Sequence, residues 1–154
     1  MIHLRPQRAD DADFLFALFC SAREAEFAML PPQQRERLLR LQHEAQCRDY
    51  AARFPLAERL IIEFDGQSAG RLLLNRAEDE LRVIDIAVIP ALRGRGIAST
   101  VLKSVMSQAE AARTPLTLSV WRENPATALY ARLGFRVRAE SATHLELEWR
   151  SDPD

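Results

Sequence analysis

The sequence predicts an α+β domain in which helices flank a mixed central sheet. Short segments rich in Val, Ile and Leu are interspersed with longer segments whose apolar residues recur at helical spacing. An Asp65-Gly66 pair joins two of the apolar segments and suits the tight turn of an antiparallel hairpin. The chain shows no repeat, low-complexity tract or Gly/Ser-rich linker, so we expect residues 1–154 to form a single domain.

The order of the predicted elements indicates a sheet of about six or seven strands. Pro31-Pro32 separates the first two helices, and the apolar period changes from strand to helix after Pro90. Asn124 can cap the last helix, and Gly134 ends it. In chain order, we predict a strand at residues 2–6, a helix capped by Asp10 or Asp11, a helix at 33–50, strands at 60–64, 68–74 and 81–89, a helix at 95–113, a strand at 116–121, a helix at 125–133, and strands at 135–137 and 145–149.

Composition narrows the class of protein. With 47% hydrophobic residues, 28% charged residues and a net charge of −1, the chain is typical of a globular protein and lacks the positive field that gathers nucleic acid or anionic membranes. No apolar run approaches the ~20 residues that span a bilayer, and the N-terminus lacks a signal-peptide core. Cys20 and Cys47 fall in predicted helices, as in reducing compartments, so we expect a cytoplasmic protein without a membrane or nucleic-acid partner.

The segment 88–98 predicts an anion site, because a strand runs through a glycine-bearing loop into a helix. The first N–H groups of a helix have no internal partners and carry partial positive charge. Gly94 and Gly96 allow close approach of the backbone, while Arg93 and Arg95 add donors for phosphate oxygens. A P-loop would need Lys-Ser/Thr after the last glycine, and a dinucleotide fold would place three glycines early in the chain. Neither fits, so the loop indicates another diphosphate ligand.

Two motifs resemble those of the GNAT superfamily of N-acetyltransferases. Arg93, Gly96 and Ala98 match the defined positions of its motif A, Gln/Arg-x-x-Gly-x-Gly/Ala. Residues 124–135 resemble motif B, in which an asparagine opens a helix that contains Leu-Tyr and ends in Leu-Gly-Phe. The resemblance covers residues 60–149 well. It implies a mixed, mostly antiparallel sheet with helices on both faces.

The resemblance also implies acetyl-CoA as the cosubstrate. It places Ile86, Ala87 and Val88 along the pantetheine arm, with the N–H of Val88 polarising the thioester carbonyl. The N–H groups of Arg93, Gly94, Arg95, Gly96, Ile97 and Ala98 would hold the pyrophosphate. Asn124 is either a cofactor contact or only a helix cap. Tyr130 is either the acid that meets the departing thiolate or a packing residue.

The base that deprotonates the acceptor amine is less clearly marked. Family members carry a glutamate at a position that is Arg82 here, or at one that is Ser119 here, and neither residue type is a base. Asp85 is an unusual carboxylate in an apolar strand and becomes the leading candidate. It could instead pair with an arginine in a structural role, and a water relay is equally allowed.

The second predicted helix offers candidate acceptor contacts. Gln42, Gln46 and Tyr50 recur every fourth residue and share one face, which either lines the acceptor pocket or is merely solvated. His43 and Cys47 stand one turn apart, but two ligands without a third make a poor zinc site, so we expect no metal.

The sequence therefore predicts an N-acetyltransferase that moves the acetyl group of acetyl-CoA to a primary amine by direct attack in a ternary complex. The acceptor would be a small-molecule amine or a peptide N-terminus, and a homodimer is left open. The alternative is a non-catalytic module on the same fold that binds or senses acyl-CoA.

Overall fold

The computed structural model describes residues 1–151 and contains seven strands and four α-helices within them. The elements are β1 (Ile2–Pro6), α1 (Ala12–Ser21), α2 (Pro32–Arg53), β2 (Glu58–Phe64), β3 (Gln67–Arg76), β4 (Leu81–Val88), α3 (Ile97–Ala112), β5 (Leu116–Trp121), α4 (Ala126–Leu133), β6 (Arg136–Glu140) and β7 (His144–Trp149). Short 3₁₀ turns cover Ala9–Asp11, Glu24–Phe27 and Pro90–Leu92.

All seven strands form one sheet in the order β1-β2-β3-β4-β5-β7-β6. Every neighbouring pair is antiparallel except β4 and β5, which are parallel. The predicted α+β class, with a mixed and mostly antiparallel sheet, is confirmed, as is the order of the elements. Asp65 and Gly66 both have positive φ at the β2–β3 turn, as the predicted hairpin requires.

Some predicted boundaries and one cap differ from the structure. The second helix continues to Arg53, and the strand predicted at 135–137 runs from Arg136 to Glu140. Asp11 stands at the N-cap position of α1 but makes no capping bond to that helix. Its carboxylate instead accepts two hydrogen bonds from Arg5, at 2.8 and 2.9 Å, and one from the N–H of Arg8. A charged bidentate pair outcompetes a cap, and it lowers the pKa of Asp11 to about 2.

The sheet buries both of its faces, as predicted. On one face, which we call the α3 face, α3 and α4 pack against alternate strand residues such as Leu72, Leu74 and Leu118. On the other, the α2 face, α1 and α2 contribute Leu15, Leu18, Phe19 and Leu39 opposite Ile61 and Leu73. The two helical layers therefore have separate cores with the sheet between them.

Strands β4 and β5 pair only at their beginnings. The parallel register covers Leu81, Val83 and the residue between them, and it stops there. Ile84 is an extra residue opposite β3, since Asp85 pairs with Leu73 and Val83 with Leu74. Such a bulge bends its strand. Residues 84–88 consequently have no β5 partner, and we call the opening beside them the β4–β5 gap.

Gly70 fixes the spacing of β3 and β4 beside this gap. It pairs with Val88, and a Cβ atom on Gly70 would lie 2.0 Å from the carbonyl oxygen of Ala87. Only glycine fits at this distance. The end of β4 is therefore held close to β3.

Candidate functional site

The glycine loop between β4 and α3 has the conformation that its sequence predicts. Gly94 and Gly96 have φ values of +81° and +76°, in the left-handed region that glycine adopts at little cost. A Cβ atom at either position would meet no atom within 4 Å, so the loop faces open space. The chain therefore presents its backbone, rather than side chains, at the start of α3.

The N–H groups of residues 94–99 donate to no protein partner within the part of the chain that the structure describes. The first bond of α3 runs from the N–H of Thr100 to the oxygen of Gly96, at 3.0 Å. The N–H of Arg93, which the sequence placed among the pyrophosphate donors, is instead bonded to the oxygen of Pro90. Six consecutive donors are thus unpaired at the positive end of the α3 dipole, which favours an anion.

The backbone of β4 faces the β4–β5 gap at Ile86 and Val88. The N–H of Ile89 donates to Ala69 on β3, and strand alternation then directs the N–H of Ala87 to β3 as well. The N–H groups of Ile86 and Val88 point the opposite way, into the gap. The Nε of Arg93 donates to the oxygen of Val88 at 3.1 Å, which ties the loop to the same edge.

Tyr130 on α4 lies near Asp85 of β4, whose charge acts on its hydroxyl. Its side chain is 6% exposed and meets Phe135 edge to face, with ring centroids 5.7 Å apart. Its hydroxyl has no hydrogen-bond partner among residues 1–151. No fully buried side-chain N or O atom there lacks a partner, so the hydroxyl must reach solvent-accessible space. Burial, and then the nearby charge of Asp85, raise the pKa of Tyr130 to about 12. A neutral phenol is therefore free to donate a hydrogen bond.

Asp85 is paired with Arg71 of β3, which matches the structural alternative for this carboxylate. The Nε and Nη2 atoms of Arg71 lie 2.9 and 2.8 Å from the same Asp85 oxygen. The Nη2 atom also donates to Gln46 of α2 at 2.9 Å, and the guanidinium lies 5.9 Å from the ring centre of Tyr50. Of the predicted α2 stripe, Gln46 and Tyr50 thus converge on Arg71, whereas Gln42 is exposed.

His43 and Cys47 stand on the same helix beside this cluster. The sulfur of Cys47 is 3.7 Å from Nε2 of His43, whose ring packs on Phe16 and Phe19. Burial, and then the charge of Arg71, lower the pKa of His43, so the ring is neutral at pH 7. Across residues 1–151, no three His, Cys, Asp or Glu side chains are grouped as metal ligands would be.

Comparison with known proteins agrees with this geometry. The sequence profile of the Acetyltransferase (GNAT) family matches residues 16–135. This chain belongs to the GNAT family. No curated protein sequence matches it significantly.

Three solved structures resemble the GNAT-family chain over nearly all of its length. PaiA N-acetyltransferase from Thermoplasma acidophilum, solved in complex with coenzyme A, is 16% identical with a TM-score of 0.74, over 98% of this chain and 99% of its own. PH1933 from Pyrococcus horikoshii OT3 is 14% identical with a TM-score of 0.71, over 99% of each chain. An acetyltransferase from Thermus thermophilus is 21% identical with a TM-score of 0.70, over 98% of this chain and 97% of its own. These similarities support the GNAT fold.

Arg82 and Ser119 occupy the two positions at which the GNAT proteins that this sequence resembles carry a glutamate. Both lie beside a carboxylate from another strand, that of Glu146. Arg82 is ion-paired with Glu146 of β7, and Ser119 pairs with Glu146 across β5 and β7. Arg82 also contacts the hydroxyl of Thr117 at 3.3 Å. Glu146 therefore lies beside both positions, but its charge is balanced by Arg82.

Sequence reasoning missed Arg71, Gly70 and Glu146 in this GNAT-family site. Arg71 carried the clearest signal, because it is a lone charge between Gly70 and an apolar Leu run, and it is buried in the structure. Glu146 carried none, since alternating charges on the last strand are typical of a solvated sheet face.

None of the described helices is both long and apolar enough to cross a membrane.

Proposed function

We propose that this GNAT-family protein transfers the acetyl group of acetyl-CoA to a primary amine by direct attack in a ternary complex, and that residues 1–154 act as one catalytic domain. One observation carries the proposal. Within residues 1–151, the N–H groups of residues 94–99 are unpaired just beyond the free edge of β4, and the unpartnered hydroxyl of Tyr130 lies near Asp85 of the same strand. An anion-binding helix start, a peptide-like edge and a proton donor are what a CoA thioester requires.

The donor side would bind the cofactor mainly through backbone groups. The pantetheine arm would extend along Ile86, Ala87 and Val88, because its amide groups can pair with the N–H and C=O groups that β5 leaves free. The pyrophosphate would lie against Gly94, Arg95, Gly96, Ile97 and Ala98, with the exposed Arg95 side chain adding charge. The coenzyme A held by the Thermoplasma acidophilum structure supports this choice of cofactor.

Two flanking side chains would complete the donor side. Arg93 ties the loop to Val88 and so positions both binding segments. The carboxamide oxygen of Asn124 accepts the N–H of Ala126 at 2.9 Å, as a cap should. Its amide nitrogen remains available to the cofactor, so capping and cofactor contact are compatible.

The chemical step would use groups from β4 and α4. The amine nitrogen attacks the thioester carbonyl carbon, the N–H of Val88 stabilises the developing oxyanion, and the C–S bond breaks. Tyr130 donates to the leaving sulfur. Its pKa of about 12 exceeds an ordinary thiol pKa of ~8.5 by roughly 3.5 units, so full proton transfer costs about 5 kcal/mol. We therefore infer that Tyr130 stabilises the thiolate by a hydrogen bond.

Asp85 would accept the proton of the acceptor amine, directly or through a water molecule. Its side chain is 29% exposed, so it is accessible although Arg71 holds one of its oxygens. The other oxygen has no protein partner among residues 1–151 and can face the amine. Gln46 and Tyr50 would help to wall the acceptor site.

The test is a measurement of CoA binding by calorimetry, followed by CoA release from acetyl-CoA with a panel of amines. We expect CoA to bind and at least one amine to release it with formation of the N-acetyl product. Binding without transfer to any amine would favour the sensor alternative, which the replacement of the family glutamates by Arg82 and Ser119 supports. Failure to bind CoA would overturn both functions.

A further inference from the structure

The guanidinium of Arg71 has unused donors although it is buried. Arg71 is 8% exposed, and its Nε and Nη2 atoms serve Asp85 and Gln46. Its Nη1 atom has no protein partner among residues 1–151. Because no fully buried side-chain N or O atom there is unsatisfied, Nη1 must reach solvent-accessible space. A buried arginine with two free N–H groups is suited to an anionic oxygen ligand.

Arg71 also lines a cavity of about 370 Å³ between α1, α2 and strands β2 and β3. This volume lies within the range of small-molecule sites. The lining residues are Gln7, Ala12, Leu15, His43, Cys47, Tyr50, Ala51, Arg59, Arg71 and Leu73. The formal charges among them are those of Arg59 and Arg71, and none is a carboxylate. The cavity therefore favours a ligand with an anionic group and an apolar part.

The position of Arg71 connects this cavity to the acetyl donor. Arg71 pairs with Ala87 in the register of β3 and β4, and Cα atoms of directly opposed residues lie about 5 Å apart. Strand alternation places Arg71, Asp85 and Ala87 on the α2 face, beside the free edge of β4. A group held by Arg71 is therefore adjacent both to Asp85 and to the proposed thioester.

We propose that the acceptor is an amino-acid-like zwitterion, whose carboxylate is bound by Arg71 while its ammonium group lies at Asp85. This inference rests on the proposed acetyl transfer and names its substrate class. The opposite charges of Arg71 and Asp85 stand side by side, as the two charges of an amino acid do. The apolar side chain of the acceptor enters the cavity beside Leu15, Tyr50 and Leu73.

The reaction balances with the groups present. The ammonium group loses one proton to Asp85, and its nitrogen forms a bond to the acetyl carbon as the C–S bond breaks. The nitrogen then gives up its second proton, which passes to the CoA thiolate through solvent. The products are an N-acetyl amino acid and CoA. The N-terminus of a peptide has no carboxylate next to its amine, so the site disfavours that class of acceptor.

The test compares acceptors that differ only in the carboxylate. Leucine, phenylalanine and glutamine are each assayed beside their carboxamide and their decarboxylated amine. For at least one of the three side chains, we expect kcat/KM to be about 10- to 100-fold higher with the free carboxylate, the scale of a charged hydrogen bond. Equal or faster transfer to the carboxamides and amines throughout would overturn the inference while leaving the acetyltransferase function intact.

Direct binding separates the two proposals. Calorimetry of the same compounds with the CoA-loaded protein needs no turnover, and we expect only the free amino acids to bind. Carboxylate-dependent binding without transfer would leave the ligand class standing and remove the proposed reaction. If no amino acid either binds or reacts, the inference is overturned.

A pair of variants assigns the effect to Arg71. Arg71→Gln should abolish the preference for the carboxylate, so that the ratio of kcat/KM for an amino acid to kcat/KM for its carboxamide falls to about one. The control is Arg53→Gln, which removes an exposed charge paired with Asp49 on α2 and should keep the preference. CoA affinity and the melting temperature verify that both variants fold. A folded Arg71→Gln variant that retains the preference contradicts the assignment.

Discussion

The donor side and the acceptor side of the proposed site are built from different parts of the chain. The donor side consists of backbone N–H groups from one continuous segment, and its conformation depends on Gly94 and Gly96. The acceptor side consists of side chains from α2, β3 and β4 that already contact one another through Arg71. A backbone site tolerates changes of side chain but not of dihedral angle, whereas a side-chain cluster has the opposite sensitivity. The donor can therefore stay constant while the acceptor changes.

The largest expected effect comes from Tyr130, which is proposed to stabilise the leaving thiolate. Tyr130→Phe keeps the ring and its packing on Phe135 and removes only the hydroxyl. We expect acetyl transfer to fall about 10- to 1,000-fold, with CoA affinity and fold retained, because the leaving thiolate loses its donor. Stopped-flow or steady-state CoA release measures this. An unchanged rate would leave thiolate departure to solvent.

The Tyr130→Phe variant also identifies the titration of the Tyr130 hydroxyl. Because the pKa of Tyr130 is raised to about 12, its contribution to stability is complete below the ordinary tyrosine pKa of ~10 and is lost as pH rises through about 12. The tyrosinate absorbance of the parent minus that of the variant should therefore rise with a midpoint near pH 12. A difference transition at pH 10 would show that the hydroxyl is not desolvated.

The next effect tests the dependence of the donor side on backbone dihedrals. Gly96→Asp strains a residue with φ near +76° and adds a negative charge beside the proposed pyrophosphate. We expect the dissociation constant of CoA to rise about 10- to 100-fold in calorimetry. Gly66→Asp is a matched control, since Gly66 has φ of +83° and equally open surroundings in the β2–β3 turn. Equal CoA affinity in both variants would remove the loop from the binding site.

The smallest expected effect concerns the base on the acceptor side. Asp85→Asn should lower transfer about tenfold at neutral pH, because a water relay still removes part of the amine protons. The rate should recover as rising pH deprotonates the free amine. The control is Glu146→Gln, which removes another carboxylate paired with an arginine on the same face. A lower melting temperature with an unshifted pH–rate profile would make Asp85 structural.

The donor side was the more predictable half of the molecule. Its information is local, since the glycines, the strand before them and the helix after them lie within residues 88–98, and the loop adopts the expected conformation. The same holds for the Asp65-Gly66 turn and for the bond from Ala126 to Asn124. Local dihedral and capping preferences decide such features, and tertiary contacts do not override them.

The acceptor side could not be assembled from the sequence alone. Gln46 and Arg71 are 25 residues apart, and Arg82 and Glu146 are 64 apart, so no spacing rule connects them. The assignment of Asp11 as a helix cap was wrong for a different reason, because Arg5 on β1, six residues earlier in the chain, takes its carboxylate. The arginine that would pair with Asp85 was foreseen as a type but not as a position. Long-range pairing of charges becomes visible only once the strand register is known.

The close contact at Gly70 determines the position of β4, although Gly70 is not proposed to bind either substrate. Any side chain at Gly70 would act as a wedge against the carbonyl of Ala87 and tilt the end of β4 into the gap. All of the residues proposed to bind or react would still be present, yet they would be out of alignment. A relative with a side chain at position 70 would therefore be judged active from its site residues although its site is misaligned. Position 70 is therefore a useful marker for separating working relatives of this chain from those that keep only its shape.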